Sequence, residues 1–297
     1  MRSFDKLGQS KASLVVAAFV VLMAPQVLAG QASSDPAKST SPASAQPLVP
    51  STQANPPQAA PVQSLRNPRQ EEELRADTLM ARKQYSDAVV IYKKLIEQEP
   101  QNAVLLNKLG IAYHQQTLLD QAKRYYERAA RADKHYANAL NNLGALEYDR
   151  RRYRQAVKQY LRALKIAPEM ATAYRNLGSA YLAQKKYDQT FAAYHRALEL
   201  DPQVFEARGG FGTVLQHIGV DDKGTFFFFL AKSYASLGNA ERCAHYLRRA
   251  RDEGYAGLAA VQTDPAFTRV LKDPGIQEVL QPVSPSANKA PPSPPGD

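Results

Sequence analysis

One cysteine and five scattered histidines leave this chain of 297 residues short of the groups that most active sites need. With Cys243 alone, no intramolecular disulfide forms. His114, His135, His195, His217 and His245 show no metal-binding spacing such as His-Glu-x-x-His. The one glycine-rich run, Gly209-Gly210-Phe211-Gly212, lacks the lysine of a phosphate loop and the strand that should precede it. Without converging acid, base, nucleophile or ligand, the chain reads as non-catalytic, with neither metal nor cofactor. A hydrolytic site completed only by oligomerisation is the enzymatic alternative.

What the chain has instead is a period. Gly110, Gly144, Gly178 and Gly212 stand 34 residues apart, a spacing typical of helix–turn–helix repeats. Leu109-Gly110 leads to Tyr113, Ala122, Tyr126 and Ala129. Leu143-Gly144 leads to Ala156, Tyr160, Ala163 and Pro168, and Leu177-Gly178 to Tyr181, Tyr194, Ala197 and Pro202. Apolar residues at spacings of three and four predict two helices per copy. The glycine, costing about 1 kcal/mol in a helix, implies a close approach of the two. The tyrosines are expected to fill the gap towards the next pair, and each proline ends a helix. This constellation resembles the tetratricopeptide (TPR) family. The resemblance implies an all-α fold, an α-solenoid of stacked TPR helix–turn–helix pairs wound as a right-handed superhelix.

The register extends upstream through Ala76, Leu79, Ala88, Tyr92, Leu95 and Pro100, and downstream through Leu230, Ala231, Tyr234, Cys243, Leu247 and Ala250. Cys243 takes the small-residue position of Ala122 and Ala156, which predicts a buried packing role. Phe205 to Ile218 reads as a first helix lacking an ordinary second one. The residues alone leave open whether Phe226 to Leu237 closes that pair or opens a new one; the resemblance favours a new pair. Asp264-Pro265-x-Phe267 and Asp273-Pro274-x-Ile276 resemble the C-terminal caps of bacterial TPR arrays.

The expected organisation is a signal peptide over 1–29, a disordered Ser/Pro/Ala/Gln-rich linker over 30–68, the TPR array over 69–257, a helical cap over 258–281 and a disordered Pro-rich tail over 282–297. Arg2, Lys6 and Lys11 precede an apolar run from Ala12 to Ala24, then Pro25 and the small-residue site Val27-Leu28-Ala29. The run is short for a membrane span of about 20 residues. Export to the periplasm or medium is the expectation, with an uncleaved anchor as the alternative. The formal charge is +10, and removing the leader would leave +8. Arg150, Arg151, Arg152 and Arg154 form the densest basic cluster, read as a solvated turn or as a patch for the membrane surface, an anionic envelope polymer or an acidic protein. Nucleic acid is a poor partner for an exported chain.

In the TPR family the first helices line a concave groove, and residues two and three before the glycine point into it. By this resemblance the peptide-binding positions are Asn107, Lys108, Asn141, Asn142, Arg175 and Asn176. The set is similar to the asparagine ladder of the O-GlcNAc transferase TPR superhelix, with Lys108 departing from it towards an acidic ligand group. A carboxamide both donates and accepts, so it can pair with a peptide backbone without reading its side chains. His114, Tyr148 and Ser179 lie close by, and Phe228 is a candidate apolar anchor. The chaperone-tail clamp is absent: Glu73 and Asp77 occupy its Lys and Asn positions in the first repeat. The implied function is a protein–protein adaptor binding an extended peptide or partner protein in the groove. The alternative is a scaffold of an envelope secretion or cell-wall complex that uses the basic surface.

Overall fold

The computed structural model describes residues 67–206 and 223–281. The leader, most of the linker, the Gly209–Gly212 run, His217 and the Pro-rich tail fall outside them. Helices follow one another in pairs: α1 (Pro68–Ala81) with α2 (Tyr85–Gln98), α3 (Ala103–Gln115) with α4 (Leu119–Ala132), and α5 (Ala137–Asp149) with α6 (Tyr153–Ile166). The next pairs are α7 (Ala171–Leu182) with α8 (Tyr187–Leu200), and α9 (Lys223–Ser236) with α10 (Ala240–Asp252). Each second helix packs on the next first helix, α4 on α5 and α6 on α7. No strand occurs among the described residues.

The glycine sits opposite a ring of its own repeat. A Cβ on Gly110 would lie 2.6 Å from Cδ1 and Cε1 of Tyr126, and one on Gly144 2.5 Å from Cε1 of Tyr160. Tyr126, Tyr160 and Tyr194 therefore fill space within their own pair, and Tyr194 also reaches the next one as the spacing suggested, meeting Phe226 edge-on at 5.8 Å between ring centroids. End pairs relax the rule: Ala76 stands at the glycine position in the first, and in the last Ala231 appears together with Leu247 in place of the ring.

A second period lies in the turns. Lys83, Thr117, Arg151 and Lys185 all adopt a left-handed backbone, with φ of 57° to 61°. In each, the amide of the following residue bonds back five residues, as Gln84 does to Leu79 and Arg152 to Glu147. This is the helix-ending motif usually built on glycine, here carried by ordinary side chains at a local cost. The tight turn forces the two helices antiparallel.

Helix α9 packs on α8 as a first helix would and pairs with α10, so it opens a new pair. Phe226, Phe227, Phe228 and Phe229 are all buried in that junction. Phe228 stacks on Tyr255 at 4.5 Å between ring centroids, so it is core and not a ligand anchor. Beyond α10, the two Asp-Pro motifs act as helix starts. Asp264 accepts from the Ala266 amide at 3.0 Å and Asp273 from the Gly275 amide at 2.9 Å. They begin a short 3-10 turn (Pro265–Phe267) and α11 (Pro274–Leu280), placing Phe267, Ile276 and Val279 against the last pair.

Burial pushes the Cys243 thiol from 9.0 up to about 12, and raises Tyr92, Tyr126, Tyr160 and Tyr194 above the ordinary 10.0. The unfolded chain releases these protons first. The associated stability is complete below pH 9 and is lost as pH rises towards 12. Melting temperature should decline steadily through that window, and a flat profile would show that these groups are not held in the core. Cys243 should resist thiol alkylation until the fold is opened.

Candidate functional site: the inner wall of the solenoid

The first helices touch one another directly, α3 with α5 and α5 with α7, which makes them the inner layer. All six ladder positions lie on these helices, but five of them turn into the seam between repeats. Asn107, Asn141, Asn142 and Asn176 are only 4–9% exposed. Asn142 Nδ2 donates to Asn107 Oδ1 at 2.9 Å, and Asn176 Nδ2 to Asn141 Oδ1 at 3.0 Å. Asn141 Nδ2 reaches Asn142 Oδ1 at 3.5 Å, and Asn107 Nδ2 reaches the Tyr136 hydroxyl at 3.4 Å. Arg175 closes the other end, contacting Asn176 Oδ1 at 3.4 Å and donating to the Val204 carbonyl at 2.8 Å. The result is a directional polar seam from Arg175 through four carboxamides to Tyr136, crossing two repeat boundaries.

Burial lowers the Arg175 pKa to about 10, with Tyr160, Tyr194 and Asp201 opposing the shift; at neutral pH it keeps its charge. Lys108 is half-buried, and the acidic groups it favours are its own neighbours: Nζ lies 2.8 Å from Glu73 and 2.7 Å from Asp77. Its pKa is raised by those carboxylates in spite of its burial. Glu73 and Asp77, which rule out the clamp in sequence, thus have a definite use in locking the first repeat to the second.

His114 and Ser179, on the same first helices, are committed as well. His114 Nε2 lies 2.7 Å from Asp149, and its Nδ1 lies 3.3 Å from the Tyr126 hydroxyl. Ser179 meets the Tyr194 hydroxyl at 3.2 Å. The Tyr–His–Asp row has the outline of a proton relay, but burial holds Tyr126 well above its ordinary pKa, so its hydroxyl is no ready nucleophile. No group of three or more His, Cys, Asp or Glu side chains among the described residues could hold a metal ion.

Steps of three and four residues from the ladder stay on the same helical face. That face carries Val104, Asn138 and Thr172 at one end and Ile111 and Ala145 at the other, all exposed or half-buried. The accessible inner wall is therefore small, neutral and partly apolar, floored by the carboxamide seam. Sequence reasoning named the ladder and passed over these five; their place in the repeat, three residues before or four after the ladder position, was the available signal.

Family models decide the lineage. Tetratricopeptide-repeat models match residues 103–136 and 141–205, and a TPR repeat model matches residues 76–116. This is a tetratricopeptide-repeat protein. Among solved structures, PilF of Pseudomonas aeruginosa is similar, with 20% identity over 66% of this chain and 96% of that one, and a TM-score of 0.43. MamA of Desulfovibrio magneticus RS-1 shares 16% identity over 62% of this chain and 94% of that one, TM-score 0.44. YrrB, described as a TPR protein with an unusual peptide-binding site, shares 19% identity over 65% and 89% of the two chains, TM-score 0.40. The chain matches none of the curated proteins it was compared with.

If the seam joins repeats, its loss should register as stability. Asn142→Ala and Asn176→Ala each leave a buried acceptor unmatched, and each should cost about 1–3 kcal/mol in denaturant unfolding. A solvated wall position would instead change stability by no more than about 0.5 kcal/mol.

Proposed function

We propose that this TPR protein is a non-catalytic adaptor that holds an extended peptide or partner protein along its inner wall. The observation that carries the reading is the internal pairing of the wall's charges. Lys108 is spent on Glu73 and Asp77, and His114 on Asp149, so the wall offers neutral polar and small apolar side chains. Such a surface suits a segment of low charge whose side chains fit beside Ile111, Ala145 and Thr172. Asn107, Asn141, Asn142 and Asn176 form the floor beneath it, flanked by the ion-paired Lys108 and the buried Arg175. At about 1 kcal/mol net per hydrogen bond, three bonds to a ligand backbone would by themselves be weaker than millimolar, so apolar contact must supply the rest. Export of the protein to the periplasm or beyond is part of this reading, supported by the basic and apolar pattern of the first 29 residues.

A photo-reactive amino acid at Ala145 or Thr172 should crosslink to one common partner in intact cells. The same group at Val90, an exposed position on α2 (67%), should not. Ala145→Arg, which puts bulk and charge on the wall, should abolish the crosslink formed from Thr172. Equal crosslinking from Val90 and Ala145 would overturn the inner wall as the binding surface.

A further inference from the structure

The outer face is as strongly charged as the inner one is neutral. Helix α6 contains no Asp or Glu, and Arg154, Lys158, Arg162 and Lys165 recur at steps of four, four and three, so all stand on one ridge. All four are exposed, and Leu161, 42% exposed, stands among them. Arg124, Arg128 and Arg131 make a matching ridge on α4, with Lys134 just beyond it. Of the turn cluster Arg150–Arg152, by contrast, two members are committed: Arg150 to Asp120 at 2.6 Å and Arg152 to Glu147 at 3.6 Å. Among the described residues Arg124, Arg131, Arg154, Lys158 and Lys165 have no ion-pair partner, and Arg162 reaches only the neutral Gln159. The acids nearby are few: Glu127, 3.8 Å from Lys123, the cap residue Asp133, and Glu169 beyond the end of α6.

Between the C-terminal ends of α4 and α6 lies a cavity of about 460 Å³. Lys134, Arg162 and Lys165 line it on the charged side together with the single carboxylate Asp133, and Ala130, Tyr136, Leu140 and Ile166 on the apolar side. Two parallel ridges of cations form a two-dimensional array, which matches a sheet of anions better than a single extended strand. A lone exposed Leu within the array and a cavity with three cations to one carboxylate on one side and apolar residues on the other suit a surface of charged headgroups over hydrocarbon.

We propose that the α4–α6 outer face docks on an anionic phospholipid surface, leaving the inner wall free for its partner. Docking goes beyond the adaptor reading and does not depend on it. Whether the apolar run Ala12–Ala24 serves as leader or anchor, the export expected from it would bring the chain to a membrane.

The test is co-sedimentation of the full chain with vesicles of phosphatidylglycerol in phosphatidylcholine, and with vesicles of phosphatidylcholine alone. The second measures any contribution of the apolar run. Wild-type protein should bind the anionic vesicles more tightly, with affinity falling steeply as salt is raised. The combined variant Arg154→Gln, Lys158→Gln, Arg162→Gln and Lys165→Gln should weaken anionic binding by on the order of a hundredfold to a thousandfold. Helical circular dichroism should be unchanged, and the milder Leu161→Ala should weaken binding by a few-fold. Equal binding by variant and wild type, or equal binding to both vesicle types, overturns the proposal. It is also overturned if soluble polyglutamate binds wild type but not the variant while vesicles are ignored; an acidic protein would then be the partner of this face.

Discussion

A tyrosine ring lying over a glycine sets the geometry of every inner pair. Tyr126 over Gly110, Tyr160 over Gly144 and Tyr194 over Gly178 bring two helices together at a distance that a single Cβ would block. Because the ring is fully buried, its hydroxyl must find a polar partner or stay unmatched at a cost. Tyr126 reaches towards His114, Tyr194 towards Ser179, and Tyr92 donates to Asp77 at 2.6 Å. These partners sit on the first helices, so the packing contact also begins the polar lining of the inner wall. Core and wall are built by the same residue.

Between pairs the chain uses another device. A solenoid is stable only if each repeat grips its neighbour, since no central core gathers the whole. Apolar contact does most of this, and the carboxamide seam adds direction. Each asparagine bonds to one a repeat away, which fixes how far one pair is displaced relative to the next. The Lys108–Glu73–Asp77 cluster does the same between the first two repeats with charge in place of amides. A wall whose ladder groups are engaged with one another presents little net charge. The charge divides accordingly: a neutral inner wall and a basic outer face.

The period of 34, the helix pairs and the buried Cys243 were legible because they depend on residue type at fixed spacing. The two short helix starts at Asp264 and Asp273 were legible too, since Asp-Pro places a side-chain acceptor and a residue without an amide hydrogen at a helix start. The left-handed turns were not, because Lys83, Thr117, Arg151 and Lys185 are not residues that favour that backbone. Phe228 was misplaced as a candidate anchor, since a run of four phenylalanines does not say how many neighbours surround it. Of the basic cluster Arg150, Arg151, Arg152 and Arg154, Arg150 pairs with Asp120 and Arg152 with Glu147, whereas Arg154 shares one face of α6 with Lys158, Arg162 and Lys165.

By itself the sequence determined which helix face is apolar and how often the unit repeats, because helical period and repeat length are local properties of the chain. It named the ladder residues beneath the inner wall as well, but not what they touch. Whether Asn142 meets a ligand or Asn107 was decided by the stacking of one repeat on the next, which brings together side chains 35 residues apart. Only tertiary structure sets that distance, and with it which polar groups are spent inside the protein and which remain for a partner.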